Sequence, residues 1–305
     1  MDQIRVGIIG VGYLGMQHAR IASYLEEADL KAVADIDFKK AFEIGNRHGV
    51  NYYQNYEDMF DEIDAGIVAT PTSEHFPISL NLLKNGKHVL VEKPITESVA
   101  QAEELVAAAK ANGRVLQVGH LERFNPAVEA VETMISDPRF VEVQRLGSFS
   151  ARSLDVNVVL DLMIHDLDII LALIKDEVAV IRASGIHVLS EKIDIANARL
   201  EFKGGCVATL TASRVHQGKV RKLRIFEPTS YYSIDYIDQE VKVFPLSGRQ
   251  TDIKTPKIKK DEPLKRELQN FFTCIAENRC GKVSGEEGLR ALRLAYDVLR
   301  QIETA

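Results

Sequence analysis

The chain has 305 residues, of which 46% are hydrophobic and 27% are charged. This composition is ordinary for a globular protein with one large domain or two smaller ones. The formal net charge of −6 argues against nucleic acid or an anionic membrane as a partner. No apolar run is long enough to span a bilayer, and the early first strand leaves no room for a signal peptide. The three cysteines lack metal-site spacing and are expected to be reduced thiols in a cytoplasmic protein.

Up to about residue 120, short apolar runs alternate with amphipathic helical patterns. The predicted strands are residues 6–9, 30–34, 65–69, 88–91 and 115–118, and the predicted helices are residues 16–25, 38–48, 78–85 and 99–112. Such alternation predicts a doubly wound, parallel α/β sheet. Ligands of these sheets bind beyond the carboxyl ends of the strands.

A glycine-rich turn follows the first predicted strand and opens the first predicted helix. Three glycines stand in the order G-x-G-x-x-G, and a carboxylate closes the next strand at the distance expected for a ribose contact. A turn that binds nothing is the alternative, but the strand–turn–helix context favours a dinucleotide. The carboxylate and the absence of a nearby cation favour NAD over NADP. The predicted cofactor contacts in this stretch are Gly10, Gly12, Tyr13, Leu14, Gly15 and Asp35.

From about residue 122 the pattern changes to an α+β domain with a large, mostly antiparallel sheet. Helical patterns at 126–135 and 158–174 surround a strand at 140–151. Strands then follow in quick succession at 178–189, 193–202, 206–215, 221–227, 231–237 and 240–244. Two C-terminal helices are predicted at 263–277 and 284–302, packing on either domain. We therefore predict an NAD-binding Rossmann domain over 1–121 and a substrate and oligomerisation domain over 122–305.

Two polar features are candidates for catalysis. In the apolar helix 158–174, Asp161, His165 and Asp168 have the spacing of one helical face. A carboxylate one turn from an imidazole fixes its tautomer, as a general base requires. A polar stripe that merely faces water is the alternative, and no metal site is predicted. Lys93 directly follows a predicted strand, where it could bind a developing alkoxide or stand in solvent beside Glu92.

Glu92-Lys93-Pro94, followed by the Asp-x-x-x-His pattern of Asp161 and His165, resembles the Gfo/Idh/MocA oxidoreductase family. The resemblance extends over essentially the whole chain. It implies a Rossmann domain, and an open sheet that mediates homodimers or homotetramers. It also implies reversible hydride transfer between a sugar or cyclitol carbon and a nicotinamide.

The same resemblance assigns roles by position. It implies that Lys93 binds the reacting oxygen, that His165 is the general acid/base, and that Asp161 orients the substrate or this pair. The division of proton transfer between Lys93 and His165 stays open. The nicotinamide side of the cofactor would be lined by Thr70, Pro71, His75 and Glu92.

The segment from Gly119 to Pro126 resembles family members that act on nucleotide sugars, especially those that oxidise C3 of UDP-N-acetylglucosamine before an amination. This resemblance implies substrate contacts from Arg123 and Asn125, and Arg152 is a further cation for the diphosphate. The alternatives are a dehydrogenase of a free sugar or inositol with the same lysine and histidine, and a non-catalytic dinucleotide-binding sensor.

Overall fold

The structure is a computed structural model that describes residues 3–149, 156–246 and 253–304. It divides into two compact units. The first unit comprises the chain up to Leu121 together with Glu262–Leu289, and the second comprises Glu122–Asp261 and the chain from Arg290 onward. Within the described ranges, no helix is both long and apolar enough to cross a membrane.

The first unit is built on the predicted parallel sheet, which has six strands. In chain order they are β1 (Ile4–Ile9), β2 (Ala28–Ala34), β3 (Asn51–Tyr53), β4 (Ala65–Val68), β5 (His88–Glu92) and β6 (Leu116–Gly119). Their spatial order is β3-β2-β1-β4-β5-β6, and every pair is parallel. This order places the change of direction between β1 and β4, where doubly wound sheets bind their ligands.

Four helices connect these strands: α1 (Tyr13–Ala22), α2 (Phe38–His48), α3 (Thr72–Lys84) and α4 (Val99–Ala111). Helix α3 begins at Thr72, six residues before the predicted start at residue 78. The predicted start directly follows Pro77, which instead lies inside the helix. Pro77 lies in the second turn of this helix, where it removes one i→i−4 hydrogen bond, and the helix continues past it to Lys84. The short strand β3 and the 3₁₀ turn Tyr56–Glu62 were not predicted, because three residues carry too little periodicity.

The helix α7 (Pro263–Ala276) belongs to the first unit. Its buried residues Leu264, Leu268, Phe271 and Phe272 join the hydrophobic core that includes Val6 and Ile8 of β1. The spacing of these four residues follows one helical face, which explains why the helix packs there. The sequence had left open which domain this helix packs against.

The second unit contains a seven-stranded sheet. In chain order its strands are β7 (Phe140–Leu146), β8 (Val178–Ile186), β9 (Ile195–Phe202), β10 (Val207–Ser213), β11 (Val220–Phe226), β12 (Ser230–Asp235) and β13 (Glu240–Pro245). The spatial order is β13-β12-β11-β7-β10-β9-β8, with β7 and β10 parallel and all other pairs antiparallel. The mostly antiparallel sheet is confirmed.

The helices of this unit are α5 (Pro126–Met134) and α6 (Ile164–Leu173). The last helix, α8 (Gly285–Glu303), belongs to the first unit up to Leu289 and to the second unit from Arg290 onward. Residues 158–174 are not one uniform α-helix, because a π-helical turn, Val159–Met163, precedes α6. Such turns are rare and often occur at functional sites. The side chain of Asn157 accepts hydrogen bonds from the amides of Val159 and Leu160 and so caps this segment.

Candidate active site

The glycine turn has the geometry that phosphate binding requires. Gly10 has φ = 83°, which favours glycine. A Cβ on Gly15 would lie 1.8 Å from the carbonyl oxygen of Gly10, so no side chain fits there. A Cβ on Gly12, in contrast, would meet no protein atom within 4 Å. The first turn of α1 therefore presents backbone amides to open space, which suits an anion.

Asp35 lies at the end of β2 and ties this turn together. Its Oδ2 accepts a hydrogen bond from the amide of Val11 at 2.9 Å, and its Oδ1 accepts one from the amide of Asp37 at 2.9 Å. The neighbouring Ile36 is 89% exposed and offers no positive charge. The carboxylate is thus fixed beside the glycine turn, where it would repel a 2′-phosphate and accept from a ribose hydroxyl. These residues fit NAD.

His75 joins two loop segments that follow β4 and β5. Its Nδ1 lies 2.8 Å from the carbonyl oxygen of Pro94, and its Nε2 lies 2.9 Å from that of Thr70. Burial lowers the pKa of His75 despite these two carbonyl groups. A neutral imidazole has one N–H, so it donates to one carbonyl at a time. His75 thus lies between the loop after β4, which contains Thr70, and the loop after β5, which contains Pro94. Pro71, the residue after Thr70, is exposed.

Glu92 points into the protein rather than outward. Its Oε1 accepts a hydrogen bond from Nε2 of His18 at 2.8 Å, and both side chains are buried. Burial would raise the pKa of Glu92, but the hydrogen bond and charge of His18 outweigh it and the pKa lies below its ordinary value. Lys93, the next residue, is half-buried. The Glu92 carboxylate is therefore not solvated as the alternative supposed, and a direct cofactor contact of Glu92 stays a prediction.

Two buried residues near Glu92 were missed by the sequence analysis. His18 lies on the buried side of α1, and Glu267 lies among the apolar residues of α7. The ligand atoms of His18, Glu92 and Glu267 all lie within 4.8 Å of one another. One signal was available: Glu267 stands between Leu264 and Leu268 on a face that is otherwise apolar.

In the second unit, Asp161 lies in the π-helical turn, whereas His165 and Asp168 lie on α6. Asp161 is half-buried, but His165 is only 8% exposed and Asp168 only 2%. The reading of this stripe as a water-facing helix surface is therefore wrong. A buried imidazole in an apolar helix is a costly arrangement, which favours a functional role.

A buried ion-pair network surrounds α6. Arg145 donates to both oxygens of Asp166 at 2.7 and 2.8 Å and to Glu122 at 3.1 Å, and its guanidinium lies 5.6 Å from the ring centre of Tyr236. Burial would lower the pKa of Arg145, but these carboxylates outweigh it and raise the pKa above its ordinary value. The network holds α6 against the sheet through β7, and the sequence did not reveal it because the partners are far apart in the chain.

The predicted substrate contacts have varied positions. Arg123 is buried and lies 3.5 Å from Oδ1 of Asp168. Asn125 caps α5, since its Oδ1 accepts from the amide of Ala127, and its Nδ2 donates to the carbonyl of Tyr236. Both ends of the Asn125 side chain are thus used within the protein, and its contact with substrate stays a prediction. Arg152 lies outside the described residues.

A parallel doubly wound sheet, a glycine turn open to an anion and a carboxylate placed for the ribose together define a dinucleotide-binding domain of the NAD type. The sequence profile of the oxidoreductase family with an NAD-binding Rossmann fold, Gfo/Idh/MocA, matches residues 4–120. The profile of the Gfo/Idh/MocA C-terminal domain matches residues 127–227. The chain belongs to this family, and the predictions of its fold, its NAD cofactor and its enzymatic class are confirmed.

Several characterised proteins are similar over nearly the full chain. A UDP-N-acetylglucosamine 3-dehydrogenase of Acidithiobacillus ferrooxidans is 33% identical over 99% of this chain and 98% of its own. The solved structure of that enzyme superposes with a TM-score of 0.94, covering 100% of this chain and 99% of the other. A myo-inositol 2-dehydrogenase of Thermotoga maritima is 25% identical over 98% of this chain and 96% of its own.

Proposed function

We propose that this enzyme oxidises a hydroxyl of a nucleotide sugar, namely the C3 hydroxyl of UDP-N-acetylglucosamine, to give the 3-keto sugar. The observation that carries the proposal is the 33% identity to a UDP-N-acetylglucosamine 3-dehydrogenase, which extends over 99% of the chain. The buried His165 and the half-buried Lys93 are in keeping with it, because buried titratable groups recur at functional sites. Location in the cytoplasm stays a prediction.

NAD, when bound, accepts the hydride that leaves the carbinol carbon. Groups of the protein itself would bind the cofactor's phosphates and accept the substrate's hydroxyl proton. The amides at the start of α1 would bind the pyrophosphate, and Asp35 would accept from the ribose. We assign Lys93 to the reacting oxygen, His165 to the hydroxyl proton and Asp161 to orientation. Lys93 belongs to the first unit, whereas His165 and Asp161 belong to the second.

The positions of the basic residues in the second unit narrow the choice of diphosphate ligands. Arg214 is committed to a buried ion pair with Asp194 at 2.7 Å and to the carbonyl of Val156. Arg221 donates to the carbonyl of Leu146 at 2.8 Å and remains half-buried. Arg123 is also buried and paired with Asp168, so the choice of Arg123 and Arg152 as diphosphate contacts stays a prediction, with Arg221 as a further candidate.

A second candidate is a dehydrogenase of a free inositol or sugar. The observation that favours it is the 25% identity to a myo-inositol 2-dehydrogenase over 98% of this chain. The same Lys93 and His165 would serve, because the proton and hydride chemistry is the same. The two candidates differ in whether turnover requires the UDP group.

The proposal is tested by following NAD reduction with a panel of UDP-sugars, UDP-free N-acetylglucosamine, glucose and inositols. We expect turnover only with UDP-N-acetylglucosamine, and a loss of at least about 10²-fold in kcat for Lys93→Met and for His165→Asn. Glu97→Gln, at an exposed position after the same strand, is the matched control and should keep full activity. Turnover of inositol with silence from every UDP-sugar would favour the second candidate. Silence throughout, with NAD bound, would favour the non-catalytic sensor.

We also propose that the seven-stranded sheet forms a homodimer or homotetramer. Four aromatic rings on strands β7, β11, β12 and β13 form a continuous row across one face, with centroid distances of 5.9, 4.6 and 4.9 Å. These half-buried rings are Phe140, Phe226, Tyr231 and Phe244. Apolar surface of this kind favours a partner. Light scattering should give at least twice the mass of 34.0 kDa, and Tyr231→Lys should reduce it; a monomeric wild type would refute the interface.

A further inference from the structure

The cluster of His18, Glu92 and Glu267 lies beneath the segment that carries Lys93. All three side chains are buried, with 0%, 4% and 0% of their surfaces exposed. Glu92 Oε2 also approaches the backbone amide of Lys93 at 3.3 Å. A Cβ on Gly119 would lie 2.8 Å from the same oxygen, so glycine at the end of β6 makes room for the carboxylate. The orientation of Glu92 is therefore set by α1, β6 and its own strand.

Glu267 is the unexplained member of this cluster. Neither of its carboxyl oxygens has a hydrogen-bond partner among the residues described. An ionised carboxylate in that position would be strongly disfavoured. Burial, and then the negative charge of Glu92, raise the pKa of Glu267 well above its ordinary value. Both effects favour the neutral acid form of Glu267 and leave the negative charge on Glu92.

We propose that His18 and Glu267 are positioning residues for Lys93, acting through Glu92. His18 donates to Glu92 and keeps it ionised, while Glu267 remains a protonated acid beside it. One fixed negative charge then stands next to the backbone of the lysine that binds the reacting oxygen, 3.3 Å from its amide. This inference rests on the proposed dehydrogenase function, in which Lys93 has that role.

The other charged or titratable groups that act on Glu92 are Lys93 itself and His75 of α3. On the side of β6, Gln117 donates to the backbone carbonyl of Glu267 at 3.1 Å and fixes α7 there. His75 is neutral, because its burial lowers its pKa. Glu92 therefore places a negative charge beside Lys93, and His18 and Glu267 act on the protonation of Glu92.

A divalent cation is the competing explanation of the same geometry. Two carboxylates and one imidazole within 4.8 Å of one another would suit such an ion. The cation would require both carboxylates to be ionised, whereas the positioning role requires Glu267 to be neutral. Replacing Glu267 by glutamine therefore separates the two, since glutamine imitates a neutral acid but is a poor metal ligand.

The experiment compares Glu267→Gln and His18→Gln with wild type, and uses Glu277→Gln, exposed just beyond the end of α7, as control. We expect Glu267→Gln to keep kcat within about threefold. The melting temperature of Glu267→Gln minus that of wild type should increase as the pH rises from about 5 to about 8. Only wild type must keep a carboxyl protonated in the folded state, so only wild type is destabilised by the rising pH. The control should show no such gain.

For His18→Gln we expect kcat to fall about tenfold, KM for NAD to change by less than about threefold, and the pH profile of kcat to move. The physical reason is that Glu92 loses the donor that keeps it ionised. A folded His18→Gln enzyme with an unmoved pH profile would overturn the positioning role. A second result would also overturn the positioning role and would favour the cation: a loss of more than about tenfold in kcat for Glu267→Gln, found together with about one metal ion per chain in purified wild type.

These results can be told apart from failure of the proposed function. If wild type reduces no NAD with any sugar, the dehydrogenase proposal fails and the positioning role fails with it. The pH dependence of the melting temperature then still decides whether Glu267 is neutral. If wild type is active and the variants behave like it at every pH, only the positioning role is refuted.

Discussion

Gly12→Ala should separate cofactor binding from folding. A Cβ at this position meets no protein atom within 4 Å, and the Gly12 φ of −66° is allowed for alanine. The Gly12 ψ of −160° lies at the edge of the extended region, so the substitution should cost the fold little, and we expect the melting temperature without NAD to stay within about 2 °C of wild type. The space that the methyl group fills is the space that the pyrophosphate needs.

The expected loss falls on affinity for NAD. A methyl group forced against a phosphate has the cost of an overpacked contact, about 1–3 kcal/mol, which raises the Kd by roughly 5- to 150-fold. Isothermal titration calorimetry with NAD measures this directly. Gly218→Ala is a matched control, because a Cβ there also meets nothing within 4 Å and Gly218 lies far along the chain from the glycine turn. Unchanged NAD affinity in Gly12→Ala would refute our location of the pyrophosphate.

Three further predictions concern buried polar side chains in the two units. Arg145→Met should cost about 3–5 kcal/mol of unfolding free energy, because it leaves the Asp166 carboxylate buried and unpaired, and Arg145→Met/Asp166→Leu should recover most of it in urea unfolding; equal loss in both variants would contradict this. Burial lowers the pKa of His88 to about 4. The stability that neutral His88 contributes is therefore complete above about pH 6.5 and is lost as the pH falls from there to about 4. His88→Asn should make the melting temperature less dependent on pH in this range. Asn125→Ala should lower stability by about 1 kcal/mol through loss of the helix cap, and Asn125→Asp should lower it more, because aspartate still accepts from Ala127 but sets a buried carboxylate against the carbonyl of Tyr236; an unchanged melting temperature with a raised substrate KM would instead identify a substrate contact.

The parts of the molecule that were predicted from sequence are those fixed by local rules. The glycine turn needs three glycines at set spacing, and the ribose carboxylate must follow one βαβ unit later, so both are visible along the chain. The parallel sheet follows from the alternation of apolar runs and helical patterns. These features depend on neighbours in sequence, and the structure has them at the expected positions.

The features that sequence did not reveal depend on partners that are distant in the chain. Nothing near His18 indicates that Glu267 will pack close to it, and nothing near Arg145 indicates Asp166. The π-helical turn at Asp161 was missed because periodicity alone cannot distinguish it from an α-helix. Asn125 was predicted as a substrate contact, but the Asn-Pro pair at the start of α5 is also typical of a helix cap.

The central claim is that hydride leaves C3 of UDP-N-acetylglucosamine for NAD. The most direct measurement is the mass of the NADH formed from UDP-N-acetylglucosamine that carries deuterium only at C3, with an aminotransferase and glutamate present to remove the keto product. We expect NADH that contains one deuterium, with a slower rate than for the unlabelled sugar if hydride transfer limits turnover. NADH without deuterium would place the oxidation at another carbon. An absence of NADH here, with turnover of a free inositol, would contradict the nucleotide-sugar substrate itself.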